Sequence, residues 1–162
     1  MNKFEKIMFG IMFWIVSLTW GALLTIPGII IALFAILLGG TLHKNGCTFI
    51  IEVGNNWGGL EIGAIAFCGR YSQKEGPCYN PSWYEHTRAH EFGHNLQQLI
   101  LGPFQLFLVF IPSAIRYWYS RIHGLKHPYD YALFEYIASK LGYYWMRKLD
   151  ASFKEEYTYK RK

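Results

Sequence analysis

Residues 89–98 read AHEFGHNLQQ, and within them His90-Glu91-Phe92-Gly93-His94 has the spacing H-E-x-x-H. On a helix, residues four apart lie one turn on and share a face. His90 and His94 then project together, with Glu91 about 100° round from its neighbour. The flanks support a helix. Ser82 followed by Glu85 has the form of a capping box, so the predicted helix starts at Trp83 and runs to about Leu101, where Gly102-Pro103 stops it. Phe92, Leu96 and Leu99 form an apolar stripe that predicts core packing. His86 lengthens the row to His86, His90 and His94, and a solvated polar face would show the same row.

The residue types favour a metal. Imidazole is the commonest metal ligand, and catalytic zinc takes three protein ligands while keeping one position for water. Glu91 is then placed to take a proton from that water as general base. Gly93 costs about 1 kcal/mol in mid-helix relative to Ala, and it leaves room for another segment to approach closely.

A third ligand is expected downstream. His123, His127, Asp130 and Glu135 are the candidates, on or before a helix that opens at Pro128 and continues to about Leu149. Glu135 lies among Leu133, Phe134, Ile137 and Leu141, where an unpaired carboxylate is expensive to bury. The alternative is a Glu135 that faces water and pairs with Lys140 or Arg121.

HEFGH followed by FEYIASKLG resembles the gluzincin pattern, in which one helix supplies two His and a second supplies Glu. The likeness is greatest to the membrane-anchored branch, whose second helix reads Glu-x-x-Ala-Asp. That resemblance implies His90, His94 and Glu135 as zinc ligands and Glu91 as catalytic base and acid. NNWGGLEIG and GHNLQQLILGPF are similar to segments of small bacterial membrane proteins bearing HExxH, a match over roughly residues 56–142. Ser139 stands where the family has the Asp that orients a ligand imidazole. For the oxyanion-stabilising residue the candidates are His127, Tyr129 and Tyr131.

The rest of the chain points to lipid. Of 162 residues, 52% are hydrophobic, 19% aromatic and only 17% charged, against about 25% charged in an ordinary soluble domain. No ionisable residue occurs from Ile7 to Gly40. That run exceeds the 7–15 residues of a signal-peptide core and the ~20 of one upright span. Residues 1–40 are therefore expected to be a transmembrane segment, either a helical hairpin turning at Pro27-Gly28 or one long helix kinked at Pro27. Residues 41–162 form the zincin-like domain. A further membrane contact is expected at 99–119, where an apolar run ends in Tyr117-Trp118-Tyr119 and Arg121; a core segment broken by Pro103 and Pro112 is the alternative.

CTFIIEV (47–53) and LEIGAIAF (60–67) read as two short strands of a β-hairpin joined by GNNWGG, with a polar loop at 69–81. In zincins generally a strand edge pairs with extended substrate, and 60–67 is the candidate here. The expected fold is mainly α, with membrane-embedded helices, a two-helix metal site and a short β-hairpin. Cys47, Cys68 and Cys78 have no CxxC spacing, so one bridge and unpaired thiols both remain open. The net charge of +5 is scattered apart from Lys160-Arg161-Lys162, and no motif for reading nucleic acid accompanies it. The expected protein is an integral membrane zinc metallopeptidase of the bacterial cell membrane, acting on a peptide or membrane-protein substrate. Two alternatives stand beside it: a zincin-like membrane protein with a binding or structural role, and a hydrolase of a non-peptide amide.

Overall fold

Glycines at three turns set the sheet. Gly46 (φ 65°) and Gly63 (φ 68°) each open a two-residue loop, and the residue after each has an ordinary φ, the backbone of a tight hairpin. A computed structural model describes residues 1–124 and 132–156. In it Gly46 joins β1 (Thr41–Asn45) to β2 (Thr48–Glu52), and Gly63 joins β3 (Gly59–Ile62) to β4 (Ile65–Cys68). The strand order is β1-β2-β4-β3, with β2 and β4 parallel. One expected hairpin is thus two, because Gly63 reverses the chain in the middle of LEIGAIAF. GNNWGG is a connection out to the sheet edge, where its Gly58 takes a φ of 101°. β3 and β1 are the edge strands, while β4 is buried along its whole length.

Helices make up most of the chain: α1 (Lys3–Thr19), α2 (Ala22–Leu37), α3 (Pro81–Leu101), α4 (Ile111–His123) and α5 (Leu133–Leu149). A 3₁₀ turn (Gly102–Phe104) and a π-helical turn (Leu106–Phe110) link α3 to α4. The expected break at Pro27-Gly28 is not where the chain turns. It turns at Trp20-Gly21, and α1 and α2 meet there at 102°. Two contacts explain the difference. Gly21 lies against α3, where its carbonyl accepts from Gln98 Nε2 at 2.8 Å and an added Cβ would come within 2.2 Å of that same nitrogen. Gly28 instead seats the β3–β4 turn, since a Cβ there would fall 2.1 Å from the carbonyl oxygen of Ile62. Pro27-Gly28 is therefore a packing site inside α2, on the inward stripe of Thr25, Gly28 and Ala32.

Among the described residues no single helix is long and apolar enough to cross a membrane. The bent pairs α1–α2 and α3–α4, the second broken by 113°, reach that length and apolarity only together. The outward faces are apolar all the same. Phe4, Ile7, Ile11 and Ile15 on α1 are exposed, as are Leu23, Ile30, Phe34 and Leu37 on α2. Inside, Phe13, Phe92, Leu96, Tyr143 and Met146 pack as one core between α1, α3 and α5. All three cysteines are free thiols.

Candidate metal centre

α3 begins two residues earlier than its sequence suggests. Asn80 is the N-cap, its side chain accepting from the Trp83 amide, and Pro81 fills the first turn, where its missing N–H is no loss. Glu85 does not close a capping box with Ser82. It pairs with Arg88, which also reaches Asp150 at 2.6 Å and so ties α3 to the end of α5.

Farther along, α3 and α5 approach to backbone contact. A Cβ on Gly93 would fall 1.8 Å from the Ala138 carbonyl oxygen, and one on Gly142 would fall 1.7 Å from that of Ala89. The two glycines are reciprocal, each accepting the other helix's main chain. Gly142→Ala should therefore destabilise the fold by about 3 kcal/mol, the upper range for overpacking a filled core. Denaturant unfolding in detergent checks this; an unchanged midpoint would mean the helices part freely.

That approach brings Glu135 onto the histidines. Glu135 Oε2 lies 3.0 Å from His90 Nε2 and 3.2 Å from His94 Nε2, and the two Nε2 atoms are 3.2 Å apart. All three residues are buried, Glu135 completely. Outer partners set the ring orientations. His94 Nδ1 meets Gln97 Oε1 at 2.9 Å, while Gln97 Nε2 donates to the Phe134 carbonyl at 2.8 Å. Gln97 can thus only accept from the ring, so Nδ1 carries a proton and Nε2 is the nitrogen turned inward. His90 Nδ1 meets Ser139 Oγ at 2.7 Å, so Ser139 sets the orientation of that ring. The Ser113 hydroxyl, from the first turn of α4, donates to Glu135 Oε1.

The two Nε2 atoms and the Glu135 carboxylate oxygen converge on one point, an arrangement that calls for positive charge there, either a metal ion or protons on the imidazoles. Burial alone pushes the Glu135 carboxyl up, but its contacts with His90 and His94 outweigh this and hold it well below the ordinary carboxylate range. Two nitrogens and one oxygen form a donor set that could hold a divalent metal ion. Ser139→Ala and Gln97→Ala should each weaken metal binding by 10- to 100-fold, the usual cost of removing a partner that orients a ligand. Competition against a fluorescent chelator would measure it, and unchanged affinity in both would detach these partners from the site.

Glu91, also buried, faces the edge strand. A Cβ on Gly59 would come within 2.4 Å of Glu91 Oε1, so a larger residue there would push this buried carboxylate aside. Two residues along the same face of β3 is Glu61, a buried acid absent from the sequence reading. Gln105 Nε2 donates to its Oε2 at 2.7 Å and to the His94 carbonyl at 3.1 Å. Burial pushes the Glu61 carboxyl up to about 8. The expected substrate edge, 60–67, narrows to β3, because β4 lies inside the sheet.

The remaining candidates separate cleanly. His86 bonds to the Tyr143 hydroxyl through Nδ1 at 2.9 Å and stacks on His90, outside the ligand group. His123 is exposed at the end of α4 and folds back on Tyr119. Lys140 sits over the Tyr136 ring and Arg121 over the Tyr117 ring, so the alternative of a solvated Glu135 paired with either does not hold. His127, Pro128, Asp130, Tyr129 and Tyr131 lie outside the described residues, as does the basic tail.

No family model, curated protein or solved structure matches this chain. The site is read from its own geometry. Gln97 was legible in principle, being three residues beyond His94 on the same helix face. Ser113, Glu61 and Gln105 reach the centre only through folding, and no spacing signals them.

Proposed function

We propose that the chain is a membrane-embedded zinc metallopeptidase of gluzincin type, held in the bilayer of a bacterial cell by α1 and α2. The observation that carries the reading is the buried trio of His90, His94 and Glu135, with Glu91 next in sequence and turned toward an edge strand. His90, His94 and Glu135 would hold the ion. When bound, zinc supplies Lewis acidity, polarising a carbonyl and lowering the pKa of water toward ~7. Glu91 accepts the proton of the attacking water and passes it to the leaving amine. β3 offers main-chain groups to an extended peptide, a mode of binding with little regard for sequence. Gly59 keeps the space between that strand and the Glu91 carboxylate open. The outward apolar faces of α1 and α2 support the bilayer as their surroundings, since a soluble monomer rarely exposes a patch of that extent.

A second reading draws on the depth of the trio. A site this enclosed, with a serine rather than a carboxylate behind His90, also suits a metal held for structure in a protein that binds a partner. The two part on one experiment. Detergent-purified protein is loaded with zinc and incubated with a peptide mixture, and new termini are read by mass spectrometry. Cleavage that a chelator stops and zinc restores supports the peptidase. Stoichiometric zinc without cleavage of any peptide moves the assignment to the structural role.

A further inference from the structure

α4 is built inside out. Its apolar residues Ile111, Ile115, Trp118 and Ile122 recur at intervals of 4, 3 and 4, which places them on one face within about 60° of each other. That face is turned away from the protein: Ile115 is 65% exposed, Trp118 63% and Ile122 76%. Ser113 and Ser120 lie about 180° round, and with Ala114 they are the only α4 residues that the rest of the chain partly covers. The inward side is the hydroxyl side, and Ser113 uses it to reach Glu135. A surface helix in water does the reverse.

The charges beside the stripe identify what covers it. No acidic residue occurs between Glu91 and Asp130. Arg121 lies about 90° from the centre of the stripe on one side and Arg116 about 130° from it on the other, and Tyr117, Trp118 and Tyr119 supply the aromatic belt. Cations bordering an apolar face with aromatics at its edge match the headgroup level of an anionic bilayer. A second copy of α4 laid on the same stripe would gather four guanidinium groups with no carboxylate from this segment, and like charges disfavour that seam. With the π-helical turn that runs into it, the helix covers Leu106–His123 and is about 27 Å long, but its polar second half leaves it not apolar enough to cross a membrane alone. It fits in the plane of the surface, not across it. The exposed Ile100, Phe104, Phe107 and Leu108 continue the apolar surface toward α3.

We propose that α4 lies flat in the headgroup region of an anionic bilayer, seated through Ile111, Ile115, Trp118 and Ile122. Ser113 then sets the metal centre on the far side of that helix, about one helix diameter (~10 Å) from the lipid. If the metallopeptidase reading holds, on which this consequence rests, the substrate is a peptide segment presented at the membrane surface, such as the stretch just outside a span.

The test uses the full chain in nanodiscs of phosphatidylglycerol whose acyl chains carry bromine either near the headgroup or near the chain end. The emission of Trp118 is the difference between wild type and Trp118→Phe. The expected result is loss of that emission with shallow bromines and little change with deep ones, because an in-plane helix sinks only ~5–10 Å. Ile115→Glu should restore it by lifting the stripe. Trp118 emission that survives bromines at both depths overturns the seat, all the more so if cross-linking rises with protein concentration and a second copy proves to be the cover. Quenching by deep bromines alone overturns it too, since α4 would then be a span. Zinc content is read on the same discs, so a seated α4 in protein that takes no zinc counts for the seat and against the peptidase.

Discussion

Glu91→Gln is expected to bind zinc at the wild-type stoichiometry and to lose peptide turnover by about 10²- to 10⁴-fold, the range for a positioned general base. Glutamine keeps the shape that Gly59 of β3 admits and cannot accept a proton. Glu91 is also outside the ligand group, so its charge is not needed to hold the ion in the way Glu135's is. The loss should fall on kcat with KM little changed, as for a group that acts in the transition state. Steady-state kinetics on any peptide found by the cleavage screen, beside metal analysis of the same preparation, measures both. A variant that turns over at the wild-type rate would show that Glu91 is not the base. Glu61 is the control on the same strand face: Glu61→Gln keeps a neutral, hydrogen-bonding side chain against Gln105, and its burial already favours the neutral form.

His94→Ala and Glu135→Ala are expected to lose the ion itself. Three protein ligands are the minimum of a catalytic zinc site, and each variant leaves two. The consequence extends to stability. An ion that binds only the folded chain stabilises it by RT ln(1 + [L]/Kd), about 4 kcal/mol at a thousandfold excess over Kd. Wild-type protein should therefore unfold at a higher temperature with zinc than after chelation, and both variants should lose that difference. Glu135→Ala also removes the acceptor of Ser113, so it should loosen α4 in addition. Zinc near one per chain in wild type and near zero in both variants is the expected metal content. Retention in Glu135→Ala would place the third ligand elsewhere, and His127 or Asp130 would return as candidates.

The parts of the site that lie close together in sequence were readable from it. His90, Glu91 and His94 follow from helical period alone, and Gly93 announced a close approach because a mid-helix glycine is costly. Glu135 was one of four candidates until α5 packed on α3. Its neighbour Ser139, singled out only through a family resemblance, lies on His90 because four residues carry it one turn along the same helix face. The capping box was misread for a plain reason: Asn80 and Pro81 compete for the same helix start, and an Asn cap followed by proline is at least as good as Ser82 with Glu85. Pro27-Gly28 was misread because proline and glycine signal turns only on average. Here the glycine has a packing task, against Ile62, that no local pattern reveals.

By itself the sequence determined what short-range geometry and composition can carry. It set two imidazoles and a carboxylate on one helix, a chain with too much apolar surface for its charge, and strands cut by glycines. The tertiary structure decided which acid completes the trio, which main chain passes Glu91, and which face of α4 is left outside. Those choices depend on contacts between residues tens of positions apart. Gly93 on Ala138, Gly59 on Glu91 and Ser113 on Glu135 are such contacts, and each exists only once the helices and the sheet edge have packed.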